Sequence, residues 1–237
     1  LEFRRVLFRS EFKTADNTVS IKYAEQESGY LAGYAAVKEG HTKLGFMGGQ
    51  AVPAVVNFGY GYVQGANDAA KELGINIELQ YKYTDSFIPD PAIQTEAASW
   101  YKSGTEIIFS CGGGIFASIS AAAQQNNGLV IGVDVDQNGE GEYVLTSAYK
   151  QLAHSVQVQL KAIDDGSFKG GQDLVLSAKD EAVGLPMKTS RFKKFTQADY
   201  DTLYKKLVND EVKIINNEGA KAVTDIKVSN VKVTLVK

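Results

Sequence analysis

"TEIIFSCGGGIFASISAAAQQNNGLVIGVDVD", residues 105–136, decides the fold class. Its first third is an apolar, β-branched run that ends in three glycines, and its last third, bounded by Gly128, is a second such run. Short continuous apolar runs of this kind read as strands buried on both faces of a sheet. The small-residue stretch between them is long enough for a helix. A strand, a helix and a strand in that order form a parallel βαβ unit with a right-handed crossover.

The same grammar extends outward from this unit. Upstream, "NTVSIKYA" alternates as a strand, and "QESGYLAGYAAVKEG" follows as a helix closed by Gly40. "KLGFMGG" is an apolar strand, "VPAVVNFGYGYVQGANDAAKELG" a helix stopped at Gly74, and "NIELQYKYT" a strand. "AIQTEAASWYKSG" is a helix with Pro91 at its start and Gly104 past its end, the usual asymmetry of helix termini. Downstream come the strand "EYVLTSAYK" and the amphipathic helix "QLAHSVQVQLKAIDDG". Strands that alternate with helices of this length predict an α/β fold of doubly wound parallel sheets. The tail, 186–237, changes character: it carries the helix "FTQADYDTLYKKLVND" with Thr196 as N-cap and ends in the alternating strand "VSNVKVTLVK".

Composition excludes several classes of function. The chain has 237 residues, 44% hydrophobic and 22% charged, with a net charge of −3, so it lacks the basic excess that nucleic acid requires. No apolar run approaches the roughly 20 residues that span a bilayer. Cys111 is the sole cysteine, and His41 and His154 are the only histidines, which argues against a disulfide framework and against a Cys- or His-based metal centre. Nothing matches a nucleophile elbow, a zinc-protease helix, a P-loop or a dinucleotide fingerprint.

The leading decapeptide "LEFRRVLFRS" stands apart. It holds Arg4, Arg5 and Arg9, while the rest of the chain uses lysine apart from Arg191, and there is no initiator Met. Residues 1–10 are therefore expected to be a non-native scar on an internal piece of a longer protein, with any targeting signal lost.

In open α/β sheets, ligands bind beyond the carboxyl ends of the strands. That rule selects Gly48 after one strand, Phe87 after the next, and Gly112, Gly113 and Gly114 after the third. It adds Asp134 and Asp136, and then Ser147 through Lys150. Each has two readings. The glycines either make a tight turn or let backbone N–H groups approach a ligand. Phe87 is either core or a platform for a flat ring. Asp134 either caps a turn or accepts hydrogen bonds from vicinal hydroxyls, and Lys150 is either a surface charge or a donor to the same face. Asp136 is expected to face solvent or to support its loop. Phe58, Tyr60 and Tyr62 sit at helical spacing and read as packing, as do Trp100 and Tyr101. Asp134, Asp136, Asn138 and Gly139 also mimic the start of an EF-hand loop, but position 12 is Leu145 where a bidentate Glu is required, and the preceding segment is a strand.

Taken together, "YAEQESGYLAGYAA", "KLGFMGG", "GYGYVQGANDAAKELG", "SGTEIIFSCGGG", "VIGVDVDQ" and "VLTSAYK" resemble the basic membrane lipoprotein family, from about residue 12 to about residue 185. These are substrate-binding lipoproteins of ABC transporters, with purine nucleoside receptors as the best-understood branch. The resemblance implies a type I periplasmic-binding-protein fold, with two lobes, a hinge of three strands and a nucleoside clamped between them. It assigns base stacking to Phe87, close approach to Gly113, and the ribose hydroxyls to Asp134 and Lys150. It implies no cofactor and no catalysis, permease subunits as partners, and membrane attachment only through a lipidated amino terminus outside this chain. On this basis 11–42 and 151–185 are expected to be remnants of the amino-terminal lobe and 43–150 the carboxy-terminal lobe, with 186–237 packing back on that lobe and the hinge. A truncated first lobe would expose apolar surface and lower the solubility of the isolated chain. Two other functions are compatible with such a fold: a ligand-sensing transcriptional regulator, and an enzyme that processes sugars or nucleotides.

Overall fold

The computed structural model describes residues 14–236 and the backbone of Arg5–Phe8. The strands are β1 (Arg5–Phe8), β2 (Thr18–Tyr23), β3 (Lys43–Gly48), β4 (Ile77–Tyr83), β5 (Ile107–Cys111), β6 (Leu129–Asp134), β7 (Val144–Lys150), β8 (Gln172–Leu176), β9 (Val183–Gly184) and β10 (Val231–Leu235). The helices are α1 (Glu25–Glu39), α2 (Pro53–Leu73), α3 (Pro91–Lys102), α4 (Ile115–Asn126), α5 (Leu152–Asp164) and α6 (Gln197–Val208). The decapeptide expected as a scar lies outside the described residues, except that Arg5–Phe8 runs parallel to β2.

Two sheets result. The larger has the order β10-β4-β3-β5-β6-β7-β9 and is parallel except for the β7–β9 pair. The smaller, β1-β2-β8, is parallel. In the larger sheet the chain passes from β3 to β4 on one side, then returns to place β5 on the other side of β3. That reversal creates the crevice where α/β proteins of this winding bind ligands.

Alternating side chains feed both faces of the larger sheet. Leu44, Phe46, Leu79, Tyr81 and Phe109 join the core under α2, while Met47, Ile108 and Val130 join a second core with Ile93, Trp100, Ile119 and Phe116 of α3 and α4. Strands covered on both faces must be apolar throughout, which is why β5 and β6 carry no alternation.

α1 packs on α2 backbone to backbone. A Cβ added at Gly29 or Gly33 would lie 2.1 Å from the carbonyl oxygen of Phe58 or Tyr62, and one at Gly61 or Gly65 would lie 2.0 Å from that of Gln26 or Tyr30. The paired spacing of small residues lets the helices approach this closely. It also places α1 with the larger sheet. The expected lobe boundary at residue 42 therefore does not follow the packing: the chain leaves the smaller sheet at Ala24, directly after β2.

Three segments join the sheets: Ala24 between β2 and α1, the turn after Lys150, and 177–182 between β8 and β9. They lie side by side, with Ala24 N–H donating to the Leu176 carbonyl at 2.8 Å, Gln151 N–H to the Ala182 carbonyl at 2.8 Å, and Ser28 Oγ to the Gly184 carbonyl at 3.0 Å. After β9, Glu39 accepts the backbone N–H groups of Lys193, Lys194 and Phe195, α6 packs near α1, and β10 pairs with β4 at the sheet edge. Thr196 Oγ1 accepts the Asp199 N–H while Asp199 accepts the Thr196 N–H, a capping box. Around the smaller sheet Val158, Leu160 and Val175 are exposed.

Candidate ligand-binding site

Three strand ends meet at the reversal. The turn after β3 is pinned to the turn after β5 by the Gly49 N–H donating to the Cys111 carbonyl at 2.9 Å. The loop after β4 folds over both. A Cβ at Gly49 would lie 2.5 Å from the Phe87 ring, and one at Gly114 would lie 2.6 Å from the Phe87 carbonyl oxygen. Glycine at these two positions therefore lets the Phe87 loop lie flat against the turns. The ring stays 38% exposed, which marks it as a wall of an opening and not as core.

That opening is a cleft of about 240 Å3, lined by Ala54, Val55, Phe58, Phe87, Gly112, Gly113 and Asp134 among others. Drug-sized ligand sites usually run to about 300–1,000 Å3, and this cleft falls just below that range. Gly113 has a left-handed φ of 56°, and nothing would meet a Cβ there within 4 Å.

Asp134 closes β6 in the left-handed region, φ 66°, where aspartate is tolerated better than most residues. Its Oδ1 is 3.0 Å from Lys150 Nζ. The ammonium is wholly buried and also lies 3.2 Å from Glu25 Oε1, whose side chain is 6% exposed. It sits 4.9 Å from the centre of the Phe58 ring and 5.5 Å from that of Tyr23, within the range of cation–π attraction. One cation thus stands between two carboxylates, next to the cleft.

Of the residues singled out in the sequence, Phe87, Gly112, Gly113 and Asp134 share the cleft, and Lys150 stands directly behind Asp134. Gly48 and Gly114 do not line it. Gly48 is packed by Tyr83, Val55 and Phe46, and Gly114 makes room for the Phe87 backbone. Asp136 turns away from Asp134: it accepts the Thr189 hydroxyl at 2.6 Å and the Asn138 N–H at 3.0 Å. The two aspartates that mimic a calcium loop therefore have separate partners, Lys150 for Asp134 and Thr189 with Asn138 for Asp136. Arg191 completes the loop's support by donating to the Val144 and Asn138 carbonyls, each at 2.9 Å.

Two residues at the site escape the sequence reading. Phe58, read as helix packing, is buried yet forms the cleft floor; the first turns of α2 face both core and cleft. Glu25 fell between the strand "NTVSIKYA" and the helix "QESGYLAGYAAVKEG". The strand-end rule applied to β2 would have found it.

The sequence matches the Bmp family, described as PnrA-like ABC transporter substrate-binding proteins, over residues 7–222. The chain belongs to the Bmp family. Bmp proteins are a substrate-binding class, not enzymes. The nucleoside-binding protein BmpA of a Lactococcus lactis ABC transporter is 32% identical over 209 residues, covering 79% of this chain and 58% of that protein. The chain spans about three-fifths of the length of the curated relatives it matches. Among solved structures, an ABC transporter solute-binding protein from Aeropyrum pernix K1 superposes with a TM-score of 0.77 at 20% identity, over 94% of this chain and 73% of that one. A transcriptional activator of the comK gene from Bacillus halodurans superposes at 0.68 and 20% identity, over 86% and 68%. The Bmp chain therefore has the type I periplasmic-binding-protein architecture with a partial first lobe. That architecture alone is shared by transport and regulatory proteins. Among the described residues no helix is long and apolar enough to cross a membrane.

Proposed function

We propose that this chain is the ligand-holding part of a substrate-binding protein for an ABC importer, and that its ligand is a nucleoside, with a purine base. The observation that carries this reading is the convergence of Phe87, Gly113 and Asp134 on one cleft at the sheet's reversal, with Lys150 paired to Asp134 from behind. A half-exposed aromatic ring offers a face for a planar base. An ion-paired carboxylate at the other side offers acceptors for the adjacent hydroxyls of a sugar. The Asp134 carboxylate, not the buried Lys150 ammonium, faces the cleft, which disfavours a phosphorylated ligand over a neutral one. The relative BmpA of Lactococcus lactis is a nucleoside-binding protein, which supports the same ligand class.

In this reading the second wall comes from the amino-terminal lobe of the longer protein, and ligand favours the closed arrangement through its greater affinity for it. A permease takes up the cargo, and a lipidated amino terminus holds the protein at the outer face of the membrane.

The test is calorimetric titration of inosine and guanosine into the full-length protein. Saturable heat is expected, and Phe87→Ala is expected to weaken binding by about 1 kcal/mol, roughly fivefold, for the lost ring contact. No heat with any of several ribonucleosides sinks the proposal.

A further inference from the structure

The geometry points to Glu25 as a positioning residue for ligand selection: it holds the Lys150 ammonium so that Asp134 keeps its acceptor capacity for sugar hydroxyls. This rests on the nucleoside reading above.

Glu25 is the second residue after β2, where the chain first leaves the smaller sheet, and Lys150 is the last residue of β7, where the chain leaves the larger one. Their ion pair, at 3.2 Å, joins two of the three connections between the sheets. Asp134 stands on the other side of the ammonium at 3.0 Å and lines the cleft, which Glu25 does not. Of the three side chains, Lys150 is 0%, Glu25 6% and Asp134 26% exposed, so the group reaches solvent chiefly through Asp134. A buried ammonium is held by whatever anions surround it. With two carboxylates it is shared, and Asp134 gives up less of its acceptor capacity to the ammonium. With Asp134 alone, it would draw that carboxylate toward itself and compete with the ligand for the same oxygens. The rings of Tyr23 and Phe58 fix the remaining directions, so Glu25 sets the position of the charge without touching the ligand.

The measurement is the affinity of the full-length protein for a ribonucleoside and for its 2′-deoxy analogue, in the wild type and in Glu25→Gln. Glutamine keeps the shape and removes the charge. The ribonucleoside affinity is expected to fall about tenfold, the scale of one charge-assisted hydrogen bond, with the deoxy affinity nearly unchanged, so the preference for ribose shrinks. An equal loss for both ligands would mean a general structural effect and would overturn the assignment, as would an unchanged preference. Wild-type protein that binds no ribonucleoside overturns the nucleoside reading and this inference with it. If Glu25→Gln alone does not fold, Lys150→Met/Glu25→Gln is compared with Lys150→Met. Without the ammonium Glu25 has nothing to position, so the two variants should show the same ribose preference, and a difference between them refutes the inference.

Discussion

At the scale of single residues, the candidate site is built around one buried ammonium. Lys150 is shared by Glu25 and Asp134 and covered by two aromatic rings, and none of this can be rearranged cheaply, since desolvated charges need partners. Lys150→Met fills the space but leaves the Glu25 carboxylate buried without its cation. The expected loss of stability is about 3–5 kcal/mol at neutral pH, measured by denaturant unfolding of the full-length protein. An unchanged unfolding midpoint would show that packing, not charge, fixes Lys150. Lys150 was legible as a strand-end residue, but its burial was not. Lysine is nearly always solvent-exposed, and only its two carboxylate neighbours, 125 and 16 positions away in the chain, make the burial tolerable.

At the scale of elements, the α1–α2 contact determines whether Glu25 reaches the site at all. Gly29, Gly33, Gly61 and Gly65 let two backbones touch, and each added Cβ would meet backbone atoms, which cannot turn aside as a side chain can. Gly61→Ala is expected to destabilise by about 2–3 kcal/mol, the upper range for overpacking, read from the denaturation midpoint. A neutral outcome would show that the helices can separate without loss. The strings "GYLAG" and "GYGYVQG" read as helix from composition alone, yet which helix each glycine meets is a tertiary matter. β8 shows the opposite failure. "QDLVL" is short and largely exposed, so it has neither an apolar run nor clean alternation, and it becomes a strand only because β2 lies beside it. Helix ends, in contrast, follow from local chemistry: Pro91 opens α3, where the structure adds the Asp90 carboxylate accepting the Ala92 N–H at 2.6 Å, and Thr196 sits in its capping box, all from residues within one turn.

At the scale of the whole molecule, tyrosine is a structural material. Burial, the leading cause in each case, pushes the phenols of Tyr30, Tyr34, Tyr62, Tyr81 and Tyr101 well above their ordinary value of 10.0, and moves Tyr83 up to about 12. The unfolded chain releases these protons near 10, while the folded chain holds them. Above 10, folded protein therefore binds more protons than unfolded, and stability falls as pH rises. For Tyr83 the contribution is complete below 10 and lost on passing through about 12. Denaturation midpoints should be level across neutral pH and then fall steeply above 10, together with a cooperative rise in tyrosinate absorbance. A gradual rise in absorbance with an unchanged midpoint would mean that the phenols ionise in the folded state.

What the sequence determined by itself was the winding and the strand ends. Hydrophobic periodicity and the glycine punctuation of "TEIIFSCGGG" and "VIGVDVD" are local signals, and the binding crevice of an open parallel sheet follows from winding by geometry. From them came the strand-end set that includes Phe87, Gly113, Asp134 and Lys150, and the family resemblance singled those four out of it. What only the tertiary structure decided was which of the strand-end residues face inward together. Gly48 and Gly114 serve packing, Asp136 braces Thr189, and Phe58 and Glu25 enter from helices that periodicity could only label amphipathic or leave unassigned. The reason is physical: side-chain direction within an element has a fixed period, but the partner of a buried charge is set by chain segments far apart in sequence, and no local pattern encodes that distance.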